Sequence, residues 1–266
     1  MSRLAHKLRR TQKLNTAYTL SNVSYVSDTR PSPGTGTYWG LAFKPDGTKA
    51  LISAGVSGSQ YLREYTLSTA WSTSTMSLDR EVNISTNVSF SSGIDFNVDG
   101  TKLFISHGNF DILTSYDLST AYSIVSLSNF DSGDAINDPT SIHYVEISGV
   151  PNIFHIDSSQ NVNRITVTGD DPDNVTFISS FSLNETTARG IALSEDGLVM
   201  LISDNATDTI YQYNISTPFD ITTATYSGLS LDVSTYSTSP VDVTFGDNGK
   251  KLFVSTFRNV LEFDLI

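Results

Sequence analysis

Gly40-Leu-Ala-Phe-Lys-Pro-Asp-Gly-Thr-Lys-Ala-Leu-Ile-Ser53 is the stretch that decides the fold, because the chain repeats it. It returns as Gly93-Ile-Asp-Phe-Asn-Val-Asp-Gly-Thr-Lys-Leu-Phe-Ile-Ser106 and as Gly190-Ile-Ala-Leu-Ser-Glu-Asp-Gly-Leu-Val-Met-Leu-Ile-Ser203. A further copy is Val243-Thr-Phe-Gly-Asp-Asn-Gly-Lys-Lys-Leu-Phe-Val-Ser255, and a degenerate one runs from Ser141 to Ile156. The turn glycines Gly47, Gly100, Gly149, Gly197 and Gly249 are spaced by 53, 49, 48 and 52 residues, a mean period of 50.5. A period of this length is the signature of an array of supersecondary units.

Each period reads as four strands. Strand A is the Gly-Ile-Asp-Phe type, and the Asp-Gly or Asn-Gly that follows supplies the positive φ of a hairpin turn. Strand B is Lys-Leu-Phe-Ile-Ser. Strand C ends in Tyr65-Thr-Leu-Ser-Thr-Ala-Trp71, Tyr116-Asp-Leu-Ser-Thr-Ala-Tyr122 and Tyr213-Asn-Ile-Ser-Thr-Pro-Phe219, with strand D after it, as in Ile221 to Tyr226. A repeated four-stranded antiparallel unit of this length is a β-propeller blade.

The ends set the blade number at five. The last residues, Phe263-Asp-Leu265-Ile266, stop midway through the strand C motif, and its continuation stands at the start: Leu14-Asn-Thr-Ala-Tyr18 matches Leu118-Ser-Thr-Ala-Tyr122. Residues Leu14, Asn15, Thr16, Ala17 and Tyr18 are therefore expected to lead into an N-terminal strand that completes the last blade. Such closure leaves only short, protected edges. The expected fold is all-β, a five-bladed propeller over 14–266 preceded by an arm over 1–13.

Composition agrees. The chain has 266 residues, 16 Lys+Arg against 28 Asp+Glu, and no cysteine, so disulfides and Cys-ligated zinc are excluded. Ser and Thr number 70 while charged residues are 17%, a balance that reads as strands and turns. Arg3, Lys7, Arg9, Arg10 and Lys13 give residues 1–13 a charge of +5 and leave −17 on residues 14–266 of a total of −12. An acidic ring does not suit a phosphate backbone, so nucleic acid is not an expected partner. With no apolar run of spanning length, membrane insertion is not expected either. No apolar core follows the basic residues, so no secretory signal is read there. A basic arm on an acidic ring suggests a tether into an acidic partner, and a solvated tail reads equally well.

Strand A lies nearest the axis, and its side chains alternate. One set, including Leu41, Ile94, Ile142, Ile191 and Val243, is expected between blades. The other set, Ala42, Asp95, His143, Ala192 and Thr244, is expected to line the channel, with Asp242 one layer beyond. Asp95, His143 and Asp242 are the polar exceptions among small residues. Carboxylate pairs are what glycoside hydrolysis needs, but these two aspartates fall in different layers without a glutamate beside them. Mutual or water-mediated hydrogen bonds account for them, and a cation on Asp95 and His143 is a lesser possibility. No phosphate loop or nucleophile elbow occurs. No catalytic residue, cofactor or metal is expected. The acidic stretch Gly169-Asp-Asp-Pro-Asp-Asn174 departs from the EF-hand pattern and reads as a solvated turn. The blade-to-blade and B–C loops share the face opposite the Asp-Gly turns and vary most, which suits them to binding.

The pairing of the Gly-Leu-Ala-Phe-Lys-Pro-Asp-Gly-Thr-Lys segment with Glu64 to Trp71 and Tyr213 to Tyr226 resembles a repeat of tailed-bacteriophage virion proteins and marine bacterial surface proteins. The likeness covers four of the five blades; the 141–187 blade departs. It implies a non-enzymatic virion protein, a capsid decoration or tail-associated module, with capsid or tail proteins and a host-surface glycan as partners. Two alternatives stay open: a lectin-like propeller with pockets between blades, and a glycoside hydrolase working through the channel carboxylates.

Overall fold

The computed structural model describes residues 17–108 and 110–266. Arg3, Lys7, Arg9, Arg10, Lys13, Leu14, Asn15 and Thr16, on which the arm and part of the closure reading rest, lie outside the described residues.

After β1 (Val23–Thr29), the first blade is β2 (Thr37–Phe43), β3 (Lys49–Val56), β4 (Ser59–Leu67) and β5 (Met76–Asn83). The second is β6 (Gly93–Phe96), β7 (Lys102–His107), β8 (Ile112–Thr120) and β9 (Ser123–Ala135). The third is β10 (Ser141–Ile147), β11 (Val150–Ile156), β12 (Asn161–Val167) and β13 (Val175–Ser182). The fourth is β14 (Ala188–Leu193), β15 (Val199–Asp204), β16 (Thr209–Ile215) and β17 (Ala224–Asp232). The fifth takes β18 (Pro240–Gly246), β19 (Lys251–Thr256) and β20 (Val260–Leu265), with β1 as its outer strand. All pairings are antiparallel, and β2, β6, β10, β14 and β18 contact one another in turn around the axis. The molecule is a five-bladed β-propeller.

Closure works as the split motif requires. β1 runs antiparallel to β20 from Val23 opposite Leu265 to Thr29 opposite Val260. Tyr18 N–H donates to the Gly249 carbonyl at 2.7 Å, the same bond that Trp71 makes to Gly47, Tyr122 to Gly100 and Phe219 to Gly197. In each case the aromatic residue adopts positive φ and its ring covers the turn glycine, where a Cβ would sit only 2.3–2.6 Å from ring atoms. This clasp explains why the motif needs an aromatic side chain in one turn and glycine in the other. The third blade lacks it: a Cβ on Gly149 would meet open space.

Two boundaries differ from expectation. Ile221–Thr223 forms a 3₁₀ turn capped by the Asp220 side chain, so the fourth outer strand starts at Ala224 and extends to Asp232. The cap satisfies the first free N–H groups and delays the strand. The B–C loop of the first blade, expected over Ser53 to Gln60, is mostly strand, with β3 and β4 pairing as far as Val56 opposite Ser59.

Blades pack face to face through apolar clusters, such as Ala42, Leu62, Ile94 and Ile105 between the first and second. A second device repeats midway along strand C. Glu64 accepts from Ile124 N–H of the next blade at 2.7 Å, and Glu262 from Thr73 N–H at 2.8 Å. Gln212 accepts from Leu20 N–H at 2.7 Å. Arg164 fills this position in the third blade and donates to the Phe219 carbonyl at 3.2 Å. In the second blade it is Ser115, whose buried hydroxyl has no partner among the described residues.

Candidate functional site

The first candidate is the channel. At its glycine layer the inner strands nearly touch: a Cβ on Gly40 would lie 2.7 Å from Ile94 N, and one on Gly93 2.7 Å from Ile142 N. The axis is therefore pinched there and widens toward the Asp-Gly turns as a funnel of about 420 Å³. Asp95, Glu146, Glu195, Asp242 and Asp247 line it together with His143, and among the described residues no lysine or arginine does.

Both channel aspartates follow one rule. Asp95 accepts from Phe96 N–H and, on the next blade, from Tyr144 N–H, each at 2.8 Å. Asp242 accepts from Val243 N–H at 3.0 Å and from Leu41 N–H of the next blade at 2.9 Å. Asp242 also takes the Ser141 hydroxyl at 3.0 Å from across the axis. Their carboxylates satisfy backbone groups of the exposed inner edges, which would otherwise be buried without partners. Burial pushes Asp95 up to about 7 and Asp242 up to about 8, against the pull of these donors. Burial also lowers His143 to about 4, so it is neutral beside Asp95, with Nδ1 3.5 Å from a carboxylate oxygen.

Ala42, Asp95, His143, Thr244 and Asp242 thus line the funnel, whereas Ala192 does not. Ala192 packs between blades against Leu201 and Val243. Strand A presents its edge to the axis, so its side chains lean toward one neighbouring blade or the other, and Ala192 is enclosed in the cluster between the fourth and fifth blades. For the same reason Leu41, Phe43 and Ile94 also reach the funnel wall.

The sequence reading raised pockets between blades only as an alternative and named no residues for them; two such clefts open on the loop face. The larger, about 480 Å³, lies on the side of the third blade that faces the second. Asn137, His155, Asp157 and Asn163 form its polar wall, and Ile165 and Phe177 belong to its apolar one. The smaller, about 280 Å³, has Glu185, Asp204, Tyr211, Tyr213 and Tyr226 at the same place on the fourth blade. Strand pairing establishes the equivalence: Ile165 is opposite Phe177 as Tyr213 is opposite Tyr226, and His155 is opposite Asn163 as Ile202 is opposite Tyr211.

In the other blades this position is filled from within. Arg63 is buried there and reaches the Thr35 carbonyl and Glu81. His107 and Thr114 bond each other at 3.1 Å, and Tyr25 stacks on Tyr236 at 4.1 Å. The signal that could have revealed the clefts was His155 itself, which replaces the Ile52, Ile105, Ile202 and Val254 of the other repeats.

Asp131 joins Asp171 and Asp173 within 4.8 Å on the rim of the molecule. Each of these carboxylates is at least partly exposed.

No protein-family model matches the chain, and no curated protein matches it in sequence. Solved structures share the fold. A chain of a nidogen/laminin complex superposes with a TM-score of 0.56 at 16% identity, over 87% of this chain and 77% of that one. A protein of unknown function from Desulfotomaculum acetoxidans gives 0.50 at 14% identity, over 82% of this chain and 65% of that one, so this chain spans just under two thirds of its length. At such identity the likeness is one of fold alone.

Proposed function

We propose that this propeller is a non-enzymatic structural and recognition module carried on the virion of a tailed bacteriophage, as a capsid decoration or tail-associated protein. The observation that carries the non-enzymatic reading is the bonding of the channel aspartates. Each spends both oxygens on N–H groups at a blade joint, Asp242 with a hydroxyl besides. A glycosidase needs one carboxyl free to protonate the leaving oxygen and another free to act on the opposite face of the sugar. Here the pair serves cohesion of the ring. The virion assignment draws its support from the repeat that resembles phage virion proteins, and from the split of charge between a basic arm and an acidic ring. In this reading the arm docks on capsid or tail, and the loop face is presented to the host surface.

Mass spectrometry of purified particles from a culture producing this chain tests the assignment; its absence from particles that otherwise assemble rules out a virion role. Deleting residues 2–13 is expected to abolish incorporation while the ring stays folded, as judged by an unchanged melting curve. Hydrolysis of aryl glycosides by the wild-type protein, lost in D95N or D242N, would replace this reading with the hydrolase.

A further inference from the structure

We propose that the cleft between the second and third blades is a binding site for one neutral sugar residue, read by Asn137, His155 and Asn163. The proposal stands on the cleft itself and does not depend on the virion assignment.

The argument starts from His155. The repeat places a β-branched aliphatic residue at this point of strand B in the other four blades, and here it holds an imidazole that is 2% exposed. Among the described residues its buried Nδ1 has no hydrogen-bond partner, and the ring lines the cleft. A buried polar group left unpaired costs stability, so a departure of this kind from a repeat asks for a ligand.

The rest of the polar wall is held in place for one. Asp157 Oδ2 accepts from Asn163 Nδ2 at 2.9 Å and from Asn137 Nδ2 at 3.2 Å. Its other oxygen accepts from Asn161 N–H at 2.9 Å. One carboxylate therefore fixes which way both amides face, and Asn137, from the loop between blades, is carried there by a backbone at positive φ. Among the described residues neither amide oxygen has a protein partner, so each amide keeps a carbonyl and a second N–H to offer, beside the imidazole. This is a neutral set of donors and acceptors in mixed order.

The set selects by exclusion. Among the described residues no lysine or arginine lines the cleft, which disfavours phosphate and carboxylate ligands. The one carboxylate is already saturated by amides, which removes a hard cation. What remains is a hydroxylated, uncharged molecule. The opposite wall is apolar, with Ile136, Ile165, Val175 and Phe177, and the Phe177 ring is 61% exposed at the rim. Hydroxyls on one side and a C–H face on the other is the chemistry of a pyranose ring. The volume, about 480 Å³, is that of a small-molecule site. The matching cleft of the fourth blade keeps a carboxylate, Asp204, and an aromatic rim residue, Tyr226, but has Ile202 and Tyr211 in the places of His155 and Asn163, so the neutral polar set belongs to the third blade.

The test is NMR titration of the full chain with the methyl glycosides of glucose, galactose, mannose, fucose, N-acetylglucosamine and N-acetylgalactosamine. At least one is expected to bind in the millimolar range or tighter and to shift the side-chain amide signals of Asn137 and Asn163 and the imidazole of His155. H155I restores the repeat's own residue, so it is expected to keep or raise the melting temperature while weakening binding at least tenfold; N163A checks the second contact. The proposal is overturned if none of the six sugars shifts these signals. It is equally overturned if a sugar binds but H155I, folded, binds it as well as wild type does.

Discussion

At the scale of single residues, burial pushes the two channel aspartates and three histidines toward their neutral forms, and this has a pH consequence. Asp95 and Asp242 are raised by burial to about 7 and about 8, so the folded ring holds protons that the unfolded chain, with carboxyls near their ordinary 3.8, has released. Stability from these groups is complete below the unfolded value and is lost as pH rises through the folded one. His107, His143 and His155 are lowered by burial to about 4, so their effect has the opposite sign and acts between about 4 and 6.5. The two effects oppose each other below 6.5, and only the aspartates remain above it. The unfolding free energy is therefore expected to fall between pH 6.5 and 8 by up to about 1.4 kcal/mol per pH unit for each carboxyl, and the melting temperature with it. D95N and D242N should each flatten that limb even where they lower stability overall. A wild-type curve that rises across this interval would contradict the assignment.

At the scale of elements, the clasp and the strand C bonds carry the joints. Gly100→Ala would drive a methyl group to 2.4 Å from the Tyr122 ring and strain a residue at φ 71°. Gly149→Ala, at φ 79°, meets no atom within 4 Å and pays only the backbone cost. Chemical denaturation should thus show Gly149→Ala costing about 1 kcal/mol and Gly100→Ala at least 1–3 kcal/mol more. Glu262→Ala strips Thr73 N–H of its acceptor at a site that is 1% exposed and leaves Lys251 with Asp264 alone. A loss of about 3 kcal/mol is expected, more than for Ser115→Ala, whose hydroxyl bonds nothing. The Asp-Gly turns and the Leu-Ser-Thr-Ala motif were legible because each copy solves the same local problem. The clefts were not, because they open between blades where one repeat's strand C meets the preceding blade's loop.

At the scale of the whole molecule, closure by β1 makes the ring cooperative. Deleting residues 1–26 would remove Tyr18 from its clasp and strip Val23 to Val26 from β20, exposing an unpaired edge. Unfolding or aggregation is expected by light scattering, whereas deletion of 1–11 should leave the melting curve unchanged. The two faces of the ring also differ in kind. One is built from clasps that nearly every blade repeats. The other carries loops of differing length and the two open clefts, which is where recognition can vary without disturbing the joints.

The sequence by itself determined the blade, the number of blades and the way the ring shuts, because each of these rests on local periodicity and on a motif cut in two. It also singled out Asp95, His143 and Asp242 as unusual. Only the tertiary structure decided what they do, since their partners, Tyr144, Leu41 and Ser141, come from other blades 49, 201 and 101 residues away. The same holds for His155. Its meaning depends on whether a neighbouring blade fills the space beside it, and here none does.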